Sequence, residues 1–252
     1  MATTFIQGNF RFEIIDEKEK TVTIMKKDHD TEYNGKLMIP SSVEHEGKTY
    51  SIVEIGGTIR WTTTEYKRVE DKRRKGGYRE ESYEASHHID GFENTKISEI
   101  VIPSSCKRIG SSAFKGCENL KEISIPSTVS SIGSDAFSGC TKLKEISIPG
   151  TVSIIDWGAF ADCSNIEKII IHDGVKRIEN YAFTRCKIKN ISIPASVDTI
   201  SDNAFSGNEE LKEVIIDDSD GIISFSEKAF EDCPKCKIKY KSQMGFFGKL
   251  FH

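Results

Sequence analysis

Leu120-Lys-Glu-Ile123-Ser-Ile125-Pro126-Ser-Thr-Val129-Ser-Ser-Ile132-Gly-Ser-Asp-Ala136-Phe137-Ser-Gly-Cys140 decides the architecture, because the chain repeats it. Ala-Phe stands at 113–114, 136–137, 159–160, 182–183, 204–205 and 229–230, in steps of 23, 23, 23, 22 and 25 residues. Three residues after five of these six Phe comes a cysteine (Cys117, Cys140, Cys163, Cys186, Cys233), and Asn208 fills the sixth place. Ile-Pro at 102–103, 125–126, 148–149 and 193–194 keeps the same register, which Ile171-His172 and Ile216-Asp217 continue. A fixed period in the range of 20–50 residues marks a stacked repeat protein.

Within a unit, Ile123 and Ile125 alternate with Glu122 and Ser124, which predicts a short strand with one buried face. Pro126 ends it, since proline brings no N–H to a ladder. Ser111, Ser134, Asp156, Asn180, Ser201 and Ser226 lie three or four residues before each Phe, where a side-chain oxygen can cap a helical turn. Each unit is therefore expected to run strand, turn, helical turn, return. One unit cannot bury its own apolar face, so units must stack, with strands about 4.8 Å apart in a parallel sheet.

Taken together, the columns L-x-x-I-x-I-P, V-x-x-I and A-F-x-x-C resemble the BspA-like subfamily of leucine-rich repeat proteins over roughly residues 89–240. The resemblance implies an α/β repeat solenoid: a right-handed leucine-rich-repeat-type coil with one parallel sheet face and short helical turns opposite. It also implies use as an interaction surface, often in adhesion, and names no partner.

Residues 1–36 read as an N-terminal β cap, in which Phe10-Arg-Phe12-Glu-Ile14 and Thr21-Val22-Thr-Ile24 flank a charged turn and form a hairpin. The solenoid spans 37–240, opening on Leu37-Met-Ile39-Pro40, with Gly47-Lys48 as the turn of a small hairpin, and an apolar tail or cap follows at 241–252. The Ala-Phe expected after Gly56 is missing and the pattern resumes at Gly91-Phe92, which places an insertion at about 57–91. Residues 60–79 hold eight basic against three acidic side chains, interleaved with Trp61, Tyr66 and Tyr78. Trp61, Arg68, Arg73 and Arg74 are thus candidates for gripping an acidic protein surface or a phosphate backbone. The competing reading is a solvated loop without a partner.

Charge narrows the function classes. Thirty-five Lys+Arg against 39 Asp+Glu gives the 252 residues a net charge of −4, and no nucleic-acid motif accompanies the basic insertion, so specific nucleic-acid recognition is not expected. No apolar run reaches 18 residues, so no membrane span is expected. The opening Met1-Ala2-Thr3-Thr4-Phe5 lacks the pattern of a secretory leader and the seven cysteines are sparse, which points to the cytoplasm. The family resemblance points the other way, to a surface-exposed or secreted protein.

Catalysis finds no foothold. A cysteine once per coil makes a line about 4.8 Å in step, not a tetrahedral cage, so metal and cofactor are not expected. Cys233-Pro-Lys-Cys236 is a lone C-x-x-C without a nearby histidine, and a thiol-dependent enzyme is the least favoured reading. Of six histidines only His172 lies in the repeat body, and phosphate-binding glycine loops are absent. The chain is read as no enzyme.

What remains is the outward surface of the strands. Two columns, Lys121, Lys144, Glu167, Lys189, Lys212 and Glu122, Glu145, Lys168, Asn190, Glu213, run beside a flat third column of small residues interrupted by Ile170 and Ile215. Such a face can bind a protein or a saccharide, or can merely keep the sheet soluble. In the tail, Phe246, Phe247, Leu250 and Phe251 share one helical face, suited to closing the last coil or to docking on a membrane or partner. The expected function is a non-catalytic interaction module; the alternative is an intracellular scaffold or neutralising protein tethered by that tail.

Overall fold

The computed structural model describes residues 4–28, 30–56, 59–70, 78–89, 91–219 and 223–243, the strands at 59–70 and 78–89 through their backbone. At the N-terminal end, Thr4–Gln7, Phe10–Asp16 and Thr21–Lys26 form an antiparallel meander, with Phe12 opposite Ile24. Thr21–Lys26 then pairs in parallel with Lys48–Ile55, and from there every neighbour is parallel. Arg108–Ile109, Ser131–Ile132, Ile154–Ile155, Arg177–Ile178, Thr199–Ile200 and Ser224–Phe225 follow one another, a two-residue strand per coil. Their register puts Ile55, Ile109, Ile132, Ile155, Ile178 and Ile200 in one buried file. Ser42–His45 folds back on Lys48–Ile55 through Glu46-Gly47, both at positive φ, so the small hairpin turns one residue earlier than Gly47-Lys48.

A second row of parallel strands runs beside the first. Asn34–Met38, Lys96–Val101 and Glu122–Ser124 pair as three, Glu145–Ile148 with Lys168–Ile171 as two, and Asn190–Ile193, Glu213–Ile216 and Lys237–Tyr240 as three. The molecule therefore carries two parallel rows per coil, not one sheet face. The second row breaks before Glu145 and before Asn190. The latter break follows the 22-residue step, where Cys186 and Ile188 stand two residues apart while Cys163 and Ile166 stand three apart.

The helical turns expected around Ala-Phe are not there. Residues 111–116 and their equivalents form successive tight turns, with Lys115 N–H bonding Ser112 O and Cys117 N–H bonding Phe114 O. The phenylalanine N–H groups leave their own coil: Phe114 donates to Ala136 O, Phe137 to Ala159 O, Phe160 to Ala182 O, Phe183 to Ala204 O and Phe205 to Ala229 O, at 2.7–2.8 Å. Buried N–H groups must find acceptors, and here the next coil supplies them where a helix would have used its own. Ser112, Asp135, Gly158, Tyr181 and Asn203, just before each alanine, are left-handed, a conformation that stops an α-helix. Among the described residues the only helical ones are 241–243.

Inside, the coils share one core. Phe92, Phe114, Phe137, Phe160, Phe183, Phe205 and Phe230 stack with ring centroids 5.2–5.8 Å apart and planes within 16°. Phe10 and Tyr33 meet Phe92 edge-on, so the N-terminal strands close that end of the stack. The cysteine file lies alongside: each thiol donates to the phenylalanine carbonyl of the coil before, Cys117 to Phe92 O, Cys140 to Phe114 O, Cys163 to Phe137 O, Cys186 to Phe160 O and Cys233 to Phe205 O, at 3.1–3.4 Å. Asn208 does the same work with its amide, donating to Phe183 O at 2.8 Å and Phe205 O at 2.7 Å.

Residues 59–70 and 78–89 form a separate two-stranded antiparallel hairpin paired over its full length, from Ile59–Ile89 to Glu70–Tyr78. The insertion is thus β-structure over these residues and not an irregular loop. It leaves and rejoins the coil at one point: a Cβ added to Gly56 would lie 3.5 Å from Gly91 Cα and 2.5 Å from Ala113 Cβ, so neither space nor φ admits a side chain at Gly56.

Removing a ring from the middle of the stack leaves a cavity that neighbours on both sides cannot fill, so Phe160→Ala lowers stability by about 3–5 kcal/mol in urea unfolding. Asn208→Ala strands two buried carbonyls and costs about 1–3 kcal/mol. Asn208→Cys, which restores the donor of the other coils, recovers most of that loss in the same assay.

Candidate interaction surface

The outward positions of the second strand row are where the sequence placed them. Lys121, Glu122, Lys144, Glu145, Glu167, Lys168, Lys189 and Lys212 are all exposed, and Ile170 is 39% exposed beside Ser147. Opposite charges on successive coils meet: Lys168 lies 3.7 Å from Glu145 and Lys189 2.6 Å from Glu167, while Lys239 pairs with Glu213. Lys189 holds the Glu167 carboxyl below the usual carboxylate range, and its own ammonium is pushed up in return. These groups face water, so the pairs arrange the surface more than they stabilise it.

Three lysines of the same row, Lys121, Lys144 and Lys212, make no ion pair among the described residues. Lys121 and Lys144 open, with Lys142, Asn165 and Glu167, into a shallow depression of 790 Å³. Beside it, where the strand row breaks before Glu145, a cleft of 480 Å³ is rimmed by Glu99, Glu122 and Glu145 and floored by Ile100 and Ile123. A basic hollow and an acidic, apolar-floored cleft thus adjoin on one face.

The insertion's candidates are not brought to this face by anything described. Trp61 and Arg68 hold backbone register positions opposite His87 and Glu80 in the hairpin. Arg73 and Arg74 fall outside the described residues, as do Phe246, Phe247, Leu250 and Phe251 of the tail.

Chemistry is poorly provided for. Among the described residues no three His, Cys, Asp or Glu side chains gather as metal ligands. All seven thiols are unpaired, and burial pushes Cys106 and Cys233 up to about 11 and raises Cys236 as well, the reverse of an activated redox pair. Sequence reading missed one contact: Ser147 Oγ lies 2.9 Å from His172 Nε2. Both side chains are exposed, and among the described residues no carboxylate orients the other ring nitrogen, so the pair lacks what turns a serine into a nucleophile. It was foreshadowed by His172 standing in the proline column, one coil beyond Ser147. A second omission is the exposed pair Trp157 and Tyr181, whose rings touch edge to face at 5.7 Å. Its signal was two aromatic residues in columns otherwise held by small and polar ones.

Residues 88–212 and 131–250 match the BspA type leucine rich repeat region, in six copies. The chain belongs to the BspA-type leucine-rich repeat family. No curated protein matches it in sequence. Among solved structures, a T. pallidum leucine-rich repeat protein superposes with a TM-score of 0.65 at 20% identity, over 99% of this chain and 97% of that one. The pneumococcal vaccine antigen PcpA gives 0.60 at 19% identity, and a leucine rich cell surface protein from Faecalibacterium prausnitzii 0.52 at 20%. These cover 87% and 94% of this chain; it spans 51% of the pneumococcal chain and 76% of the other. At such identities the likeness is one of fold. No helix among the described residues of this BspA-type chain is long and apolar enough to cross a membrane.

Buried thiols make a pH prediction. Cys106 and Cys233 keep their protons in the folded chain up to about pH 11, whereas the unfolded chain loses them near the ordinary value of 9.0. The folded state then binds more protons between these pH values, so stability is full below pH 9.0 and falls as pH rises towards about 11. Urea midpoints measured across that range will decline, and less steeply in a Cys106→Val, Cys233→Asn double variant. With iodoacetamide at neutral pH, half-buried Cys236 will react first.

Proposed function

We propose that this BspA-type chain is a non-catalytic interaction module that binds a protein partner through the exposed face of its second strand row, with the 59–89 hairpin as a second point of contact. The observation that carries the reading is the neighbouring basic hollow and acidic cleft around Lys121, Lys144, Glu122 and Glu145. Coils fix the spacing of these charges, so a partner meets a pre-organised pattern and little side-chain order is lost on binding. Opposed patches of charge select a partner's orientation and speed its approach more than they add affinity. The face is open and polar, which suits a macromolecule better than an enclosed small ligand. A surface saccharide is the second ligand class that such a face admits.

On location, unpaired buried thiols support the cytoplasm, and the cell-surface description of the F. prausnitzii relative supports display outside. Labelling intact cells with a membrane-impermeant amine reagent separates the two.

Charge reversal at Lys121, Lys144 and Lys212 is expected to weaken capture of the partner at least tenfold in pull-downs from native lysate, with cross-links from the intact chain mapping to this face. Deleting residues 57–90, whose flanks already adjoin, is expected to weaken capture while the melting temperature stays within about 2 °C, since the hairpin pairs only with itself among the described strands. Unchanged capture by both variants, or cross-links confined to the turn side, overturns the reading.

A further inference from the structure

Trp157 and Tyr181 depart from the chemistry of their columns. One coil away, Trp157's place is held by Ser134 and Asn180, and Tyr181's by Gly158 and Asn203. Both aromatic side chains stay outside the core, 48% and 38% exposed, and they lie on the turn side, away from the strand face discussed above. Their centroids are 5.7 Å apart with ring planes at 65°, so they form two walls of a corner.

Tyr181 holds φ at +61°, a left-handed conformation that Asn or Gly adopts readily and a tyrosine does not. Packing within the chain does not compensate: the ring is outside the core, and the hydroxyl makes no hydrogen bond among the described residues. Strained residues that the fold itself does not need mark places kept for another purpose.

Electrostatics decides what the corner holds. Asp135 leans over Gly158, where an added Cβ would come within 2.6 Å of its Oδ1, and its other oxygen takes Lys115 at 2.8 Å. Asp156 accepts the Trp157 N–H at 2.7 Å, and the Tyr181 N–H points to Asp202 O at 3.4 Å. Neither Asp156 nor Asp202 has an ion pair among the described residues, so carboxylate charge is left over beside two π-faces. That combination attracts an organic cation, and among protein cations the planar guanidinium both stacks on rings and bonds carboxylates in a fork. A sugar ring would want one flat platform, which walls at 65° do not offer.

We propose that Trp157 and Tyr181, flanked by Asp156 and Asp202, form a docking corner for an arginine side chain of a partner protein. The site is independent of the strand-face reading, and either can fail alone.

The full-length chain carrying Trp61→Phe leaves Trp157 as its sole indole reporter. Titrated with a blocked tri-arginine peptide, its emission is expected to shift saturably, with an affinity at least tenfold above that of the neutral, isosteric tri-citrulline peptide and falling with salt. Tyr181→Asn, the residue of the next coil, is expected to weaken binding about fivefold while the melting temperature holds or rises; Tyr181→Phe is expected to bind like the parent. Equal affinity for both peptides, unchanged binding by Tyr181→Asn, or a melting temperature lowered by that substitution overturns the proposal. So does a saturable response to cellohexaose in the absence of one to tri-arginine, which would assign the corner to saccharide.

Discussion

Everything in this molecule depends on one match of lengths: the backbone ladder between coils and the phenylalanine stack inside them must advance by the same step. Hydrogen-bonded strands lie about 4.8 Å apart, and rings 5.2–5.8 Å apart by centroid with nearly parallel planes satisfy that step if each slides about 2 Å sideways on the last. Offset stacking is also the arrangement that aromatic quadrupoles prefer, so the core and the ladder ask for the same geometry. A bulkier or smaller residue in the file would set the two at odds on both sides of itself.

The thiols belong to the same bargain. Each phenylalanine carbonyl would be buried without a donor were it not for the cysteine or asparagine of the next coil. Cys and Asn look unrelated by charge or size, yet either can put a hydrogen on that oxygen. The pressure on the position is therefore for a short donor, and reactivity plays no part in it.

Much of this was legible from residues. The Ile-Pro and Ala-Phe columns carry the coil and its buried faces because burial recurs at a fixed period, and the Lys/Glu files carry the outward surface because a strand's alternation leaves no choice of side. The turn region misled because Ser and Asp before Ala-Phe suit a helix cap and a left-handed turn alike. Ser112, Asp135, Gly158 and Asn203 together favour the turn, since a file of left-handed formers would be out of place inside a helix. At the insertion, the charge of 60–79 drew attention from Ile59-Arg-Trp61-Thr-Thr-Thr64, a β-prone run that pairs with residues 84–89. Trp157 and Tyr181 escaped because attention stayed on the strand columns, and how two rings meet across coils depends on coordinates.

Coil-to-coil bonding also sets how the molecule responds to being pulled. Hydrogen bonds between successive coils run along the stacking axis, so tension applied at the two chain ends opens them a coil at a time, like a zip, and never loads a whole sheet in shear. A chain of this build yields to modest force in small equal extensions and rewinds when slack, a compliance suited to a tether between bodies that move apart.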